Sequence, residues 1–98
     1  MIATELGHCW IQFENGYIIS ISNGYGSYSE NHFNRKEWDK LRNPKAFDRC
    51  ESKTCEIAII RNDIFCTSQF IECEGSTIGY IKPDELPDIM KKVKEAKE

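Results

Sequence analysis

The sequence predicts an α+β domain: an antiparallel sheet of about four to five strands, with a C-terminal helix and a short middle helix packed on it. Three observations carry that expectation. Residues 9–22 alternate apolar and polar side chains on both sides of an Asn-Gly pair, the mark of a hairpin. Residues 54–60 are apolar at most positions on both faces, as a central strand covered by a helix is. Residues 86–96 place apolar side chains at helical spacing. The chain has 98 residues, 40% hydrophobic and 30% charged, which suits one compact domain over residues 1–98 and is too apolar for a disordered chain.

The first hairpin has two possible registers. A two-residue turn at Asn15-Gly16 pairs Phe13 with Ile18 and mixes polar and apolar side chains on each face. A three-residue loop, Glu14-Asn15-Gly16, instead pairs Phe13 with Tyr17, Ile11 with Ile19 and Cys9 with Ile21, and one face becomes continuously apolar. A slip of one residue turns every side chain over, so the register that keeps the apolar face together is expected. The loop it requires is a type I turn closed by a left-handed residue, and Gly16 stands where the positive φ falls.

Residues 23–33, from Asn23-Gly24-Tyr25-Gly26 through Ser27-Tyr28-Ser29 to His32-Phe33, combine turn formers with aromatic and imidazole side chains. Tyr, Ser, Gly and Asn are what binding loops use, because they give contact area and adaptable hydrogen bonds at low entropic cost. The plainer alternative is a long hairpin connection whose Tyr25 and Tyr28 lie on the sheet. The glycines do not make a dinucleotide loop, which needs a third glycine and a following helix. Residues 34–50 then hold six basic residues, Arg35, Lys36, Lys40, Arg42, Lys45 and Arg49, against three acidic ones. That local +3 leaves −6 on the remainder of a chain whose net charge is −3. Asn34 with Glu37 three residues on resembles a capping arrangement, and Trp38 and Leu41 supply a narrow apolar stripe, which predicts a short helix over about 35–42. Such a helix either docks Trp38 on the sheet or offers a basic patch with an aromatic ring beside it.

Residues 54–60 and 64–67, joined by Arg61-Asn62-Asp63, predict a second hairpin. Residues 68–75 either continue its second strand or form a loop. Thr77-Ile78-Gly79-Tyr80-Ile81 is a short strand in which Gly79 signals a bulge or a close backbone approach. The last segment opens with proline and acids and closes with lysines, in the sense the helix dipole favours. Leu86, Ile89, Met90, Val93 and Ala96 form its stripe, and Pro87 belongs at the start of the regular helix after a turn at 83–86.

Composition excludes several functional classes. There is no run of about 18 apolar residues to span a membrane, and a net charge of −3 does not recruit nucleic acid. Residues 1–5 lack the basic and apolar regions of a secretory signal, which points to the cytoplasm and to free thiols. Cys50, Cys55, Cys66 and Cys73 lack the short knuckle of structural zinc sites, so Cys9, Cys55 and Cys66 are expected as small core hydrophobes, with a four-thiolate zinc site the lesser alternative. Only His8 and His32 are available as a general base. His8 and Cys9 are strand neighbours that point to opposite faces, and Asp84, Glu85 and Asp88 at a helix start are accounted for by the dipole. With no phosphate loop, zinc-hydrolase helix or nucleophile elbow, a protein without enzymatic activity or cofactor is expected.

The stretches Phe13-Glu14-Asn15-Gly16-Tyr17 through Ile21, Cys55-Glu56-Ile57-Ala58-Ile59-Ile60, and Ile78-Gly79-Tyr80-Ile81-Lys82-Pro83-Asp84-Glu85 resemble a group of small phage and prophage accessory proteins. Their pattern is an F-x-N-G-Y hairpin, a loop bearing glycine and tyrosine, an E-V-A-V strand and a G-Y-x-x-P-E-E entry into the last helix. The likeness covers a minority of the chain and includes no catalytic motif, and residues 35–50 and the cysteines depart from it. It implies a context in which small proteins act as stoichiometric inhibitors of host defence, anti-CRISPR proteins among them.

The function expected is therefore a non-enzymatic accessory protein that binds and inhibits a host defence protein or ribonucleoprotein. Its partner-binding residues are expected to be Tyr25, Tyr28, His32, Phe33, Arg35, Lys36, Trp38 and Arg42, since aromatic and Arg anchors carry most interface energy. An acidic face of Glu72, Glu74, Asp84, Glu85 and Asp88 is the alternative contact, acting as a charge mimic in a nucleic-acid channel. A nucleotide or small-molecule module using Tyr stacking with the Arg and Lys of residues 35–49, and a zinc-stabilised structural protein, are the readings from other classes.

Overall fold

The computed structural model describes residues 1–5, 7–24, 27–30 and 52–97. Among them are six strands, β1 (Ile2–Glu5), β2 (His8–Gln12), β3 (Ile18–Ser22), β4 (Cys55–Arg61), β5 (Ile64–Phe65) and β6 (Ile78–Ile81), and a helix, α1 (Leu86–Glu95). Short 3-10 turns occur at Thr67–Gln69 and Pro83–Glu85. All strand pairs are antiparallel, in the order β1-β2-β3-β4, and β5 and β6 share the far edge of β4. This is the expected α+β architecture, with β1 as an addition. Its four residues carry little pattern of their own and gain their place by pairing with β2, from Ile2 opposite Ile11 to Glu5 opposite His8. The middle helix expected over 35–42 lies outside the described residues.

The first hairpin adopts the bulged register. Ile11 opposes Ile19 and Cys9 opposes Ile21, while the Phe13 N–H donates to the Tyr17 carbonyl at 2.9 Å and the Gly16 N–H to the Phe13 carbonyl at 3.0 Å. Gly16 has φ +89°, open to glycine without steric cost. The gain from this register is the core face: Ile19, Ile57 and Ile59 are wholly buried, and Ile89 and Val93 of α1 pack over them. Each such side chain contributes about 1.5–3 kcal/mol by leaving water. Leu86, Met90 and Ala96 extend the helical stripe at the margin of the same cluster. Pro87 lies in the first turn of α1, where its missing N–H costs no helical bond.

Asn15 ties the hairpin to the helix. Its side-chain amide donates to the carbonyls of Val93 (2.8 Å), Lys94 (3.2 Å) and Ala96 (2.9 Å), and its side-chain oxygen accepts from the Tyr17 N–H. The last carbonyls of a helix have no partner within it, so a turn 78 residues away in sequence supplies one.

The second hairpin is tighter and shorter than residues 64–67 suggested. Asn62 and Asp63 take φ of 52° and 63°, the two left-handed positions of a type I′ turn, and β5 ends at Phe65. The chain then curls into the Thr67–Gln69 turn because β4 needs Thr67 there. The Ile59 N–H donates to the Thr67 hydroxyl at 2.8 Å, that hydroxyl donates to the Ser76 carbonyl at 2.6 Å, and the Cys66 N–H donates to the Ile59 carbonyl at 2.8 Å. Thr67 thus fills the gap between β5 and β6 and leaves no buried β4 amide unpaired at Ile59. Residues 70–77 form a loop rather than a continued strand.

Candidate binding site

β3 leads into the segment that begins at Asn23, and the chain here is held by its own serines. Ser27 donates to the Gly24 carbonyl at 2.6 Å, and its hydroxyl lies 2.8 Å from that of Ser29. Both serines are buried, so they brace the loop from within rather than offering contacts. Three backbone amides then fix the loop to the sheet. The Tyr28 N–H donates to the Glu56 carboxylate at 2.7 Å, the Glu30 N–H to the Thr54 hydroxyl at 3.0 Å, and the Tyr80 N–H to the Tyr28 carbonyl at 2.7 Å.

The last of these contacts explains Gly79. A side chain there would meet the Tyr28 Cβ and would stand 2.8 Å from the Tyr28 carbonyl oxygen, so only glycine lets β6 approach. The register of β6 against β4 shifts at the same place, between Cys55 and Ile57. Tyr80 follows with φ +55°, a conformation unfavourable by about 1–2 kcal/mol for a residue other than glycine. Its side chain is 56% exposed and that of Tyr28 is 51% exposed. Two tyrosines on hydrogen-bonded backbones are thus presented to solvent, one of them at a strained residue. Strain of this kind clusters at functional surfaces.

Of the expected partner-binding residues, Tyr28 is placed here. Tyr25, His32, Phe33, Arg35, Lys36, Trp38 and Arg42 lie outside the described residues. Sequence reasoning missed Tyr80 and Glu56 as parts of this surface; the signal that could have found Tyr80 is the glycine immediately before it.

The acidic residues form a second feature. Glu72, Asp84, Glu85 and Asp88 line one groove of about 430 Å³ beside the start of α1, together with Lys92. Glu74 does not line it. The apolar part of the groove is made by Phe70, Ile71, Ile78, Ile81 and Ile89. A smaller cavity of about 170 Å³ lies between Asn23, Thr54, Cys55 and Leu86, at the entry to the loop.

Cys55 and Cys66 are buried free thiols, as expected of small core residues, and Cys9 is half-buried. Burial, and to a lesser extent the Glu85 carboxylate, push the Cys55 thiol up to about 11. Burial also raises that of Cys66, partly offset by the Arg61 guanidinium. Cys50, needed for a four-thiolate site, lies outside the described residues, and among those described no three His, Cys, Asp or Glu side chains converge on a metal-sized space. His8 bonds through Nε2 to the Ser20 hydroxyl, and its ring lies against that of Trp10, tilted by 43° with centroids 3.8 Å apart. That pair follows from the bulged register, which sets Trp10 opposite Ser20 and His8 one step along the same face. Ser20 itself is buried, opposite Trp10 and Ala58 of the flanking strands. Among the described residues no helix is long and apolar enough to cross a membrane. Comparison of the chain with protein-family models, with curated proteins and with solved structures finds no match.

Proposed function

We propose that the chain is a non-enzymatic, phage-type accessory protein that binds and inhibits a host defence protein or ribonucleoprotein in the host cytoplasm, in the manner of an anti-CRISPR protein. The observation that supports this reading is the exposed Tyr28 and Tyr80 on a loop and strand held by three fixed amides. A tyrosine held in place before binding loses little entropy on contact and contributes a large amphipathic area, which is why tyrosines dominate interface energetics. Tyr25, His32, Phe33, Arg35, Lys36, Trp38 and Arg42 extend the proposed surface along the chain. The mildly acidic chain suits a protein partner better than naked nucleic acid.

The test is phage plating on a bacterial strain with active CRISPR immunity that expresses the chain. The proposal expects restored plaquing with the wild type, and loss of that restoration in Tyr28→Ala/Tyr80→Gly at unchanged thermal midpoint. A double variant as active as the wild type removes the tyrosines from the mechanism. A nucleotide stacked on the same rings is the competing occupant, and calorimetry with a nucleotide panel separates the two, because the inhibitor reading expects no heat.

A further inference from the structure

We propose that the acidic groove beside the start of α1 is a docking site for a basic segment of a partner protein that carries an apolar side chain. In this arrangement an aliphatic or aromatic side chain rests on the groove floor and flanking Lys or Arg side chains reach the carboxylates at its rim. The groove is open to solvent and, at about 430 Å³, has room for a large apolar side chain. The floor is core: Ile81 and Ile89 are 5% and 8% exposed, and Phe70 and Ile78 are half-buried beside them. The rim is charged and exposed, with Glu72, Asp84, Glu85 and Asp88 against Lys92 alone.

The helix dipole accounts for carboxylates at the start of α1 but not for this groove. Glu72 comes from the loop after the Thr67–Gln69 turn, well before α1 in sequence, and it lines the same space. The dipole likewise does not require an open apolar floor beneath those charges. The field of the rim also reaches inward, since the Glu85 carboxylate adds to burial in raising the Cys55 thiol. Net negative charge over an apolar floor repels phosphate and disfavours a purely polar cation, whereas a Lys- or Arg-flanked apolar side chain satisfies both parts.

This inference deepens the proposed inhibitor reading by naming the partner's chemistry, and it rests on that reading only for the partner's cellular identity. Its test therefore uses separate residues and a separate readout. The full chain, labelled with nitrogen-15, is titrated with acetyl-Arg-Leu-Arg-Phe-amide and followed by amide chemical shifts. The expected result is saturable shifts at Ile71, Glu72, Ile78, Asp88 and Ile89, with affinity falling about fivefold between about 50 and about 500 mM salt. The Gln-Leu-Gln-Phe and Arg-Gly-Arg-Gly analogues each bind about fivefold more weakly, since each lacks one half of the match. Glu72→Lys weakens the first peptide by about fivefold at unchanged thermal midpoint, and Tyr28→Ala leaves its affinity unaltered. Equal binding of either analogue, shifts that centre elsewhere, unchanged affinity in Glu72→Lys, or no shifts at all overturns the proposal. A tyrosine variant that loses inhibition while keeping the peptide affinity separates failure of one surface from failure of the other.

Discussion

β3 has two ends, both closed by hydrogen bonds to distant segments, and they use their side chains in opposite ways. Where the chain enters β3, a polar side chain does the holding: the Asn15 amide reaches the last carbonyls of α1. There Tyr17 is buried, with its ring edge-on to Phe70 at 5.3 Å and under the Arg61 guanidinium at 5.0 Å. Where the chain leaves β3, backbone amides do much of the holding, and Tyr28 and Tyr80 stay largely in solvent. An aromatic ring turned inward and saturated with partners serves the fold. Tyr28 and Tyr80 instead stand half in solvent on hydrogen-bonded backbones, and the proposed surface lies at this second end.

The largest expected effect that sharpens this contrast is alkaline. Cys55 pairs with Ile81 at the exit end, and its thiol is held protonated up to about 11 against an ordinary value of 9.0. A raised folded-state value means that the stabilisation is complete below about pH 9 and is lost as pH rises through about 11, worth about 2–3 kcal/mol. Denaturant unfolding at pH 8 and pH 11 should show this loss in the wild type and a smaller one in Cys55→Ala. At the entry end, Asn15→Ala strands helix carbonyls and should cost about 1–3 kcal/mol, read as a lower denaturant midpoint with early exchange of the α1 C-terminal amides. At the exit end, Gly79→Ala forces β6 off Tyr28 and should cost about 1–3 kcal/mol. Hydrogen exchange distinguishes the two, because Gly79→Ala should expose the Tyr80 amide while leaving the Asn15 contacts protected.

The smallest effect on stability is the most diagnostic. Tyr80→Gly relieves a left-handed conformation and removes a side chain that is 56% exposed, so it should leave stability unchanged or raise it by up to about 1 kcal/mol. Unaltered stability with lost inhibition is the signature of a residue kept for binding at the expense of the fold. A clear loss of stability would place Tyr80 with Tyr17, as a structural aromatic.

What could be read from the sequence followed from short-range rules with a single winner. The bulged register at Gly16 was legible because only one pairing keeps Cys9, Ile11 and Phe13 on the face of Ile19 and Ile21. β4 was legible because its two apolar faces need cover on both sides, and α1 because its stripe and terminal charges agree. Gly79 announced a close approach but not its partner, since Tyr28 is brought there by the loop. The rest depended on contacts between remote residues. Thr67 leaves the expected strand to satisfy Ile59, and Asn15 caps α1, and no periodicity encodes either. β1 has too few residues to announce itself without β2. At the proposed surfaces, Tyr28 and the carboxylates of Glu72, Asp84, Glu85 and Asp88 could be singled out by residue type, whereas the strain at Tyr80 and the floor beneath Glu72 arise only on folding.

The central claim is that the exit end of β3 exists to present Tyr28 and Tyr80 to a partner. Its most direct test is phage plating efficiency on a CRISPR-immune strain expressing the wild type or Tyr28→Ala/Tyr80→Gly, with thermal midpoints measured on the same two proteins. The account predicts restored plating with the wild type and vector-level plating with the double variant at matched stability. Equal plating with both proteins, or loss of plating explained by an unfolded variant, would contradict it.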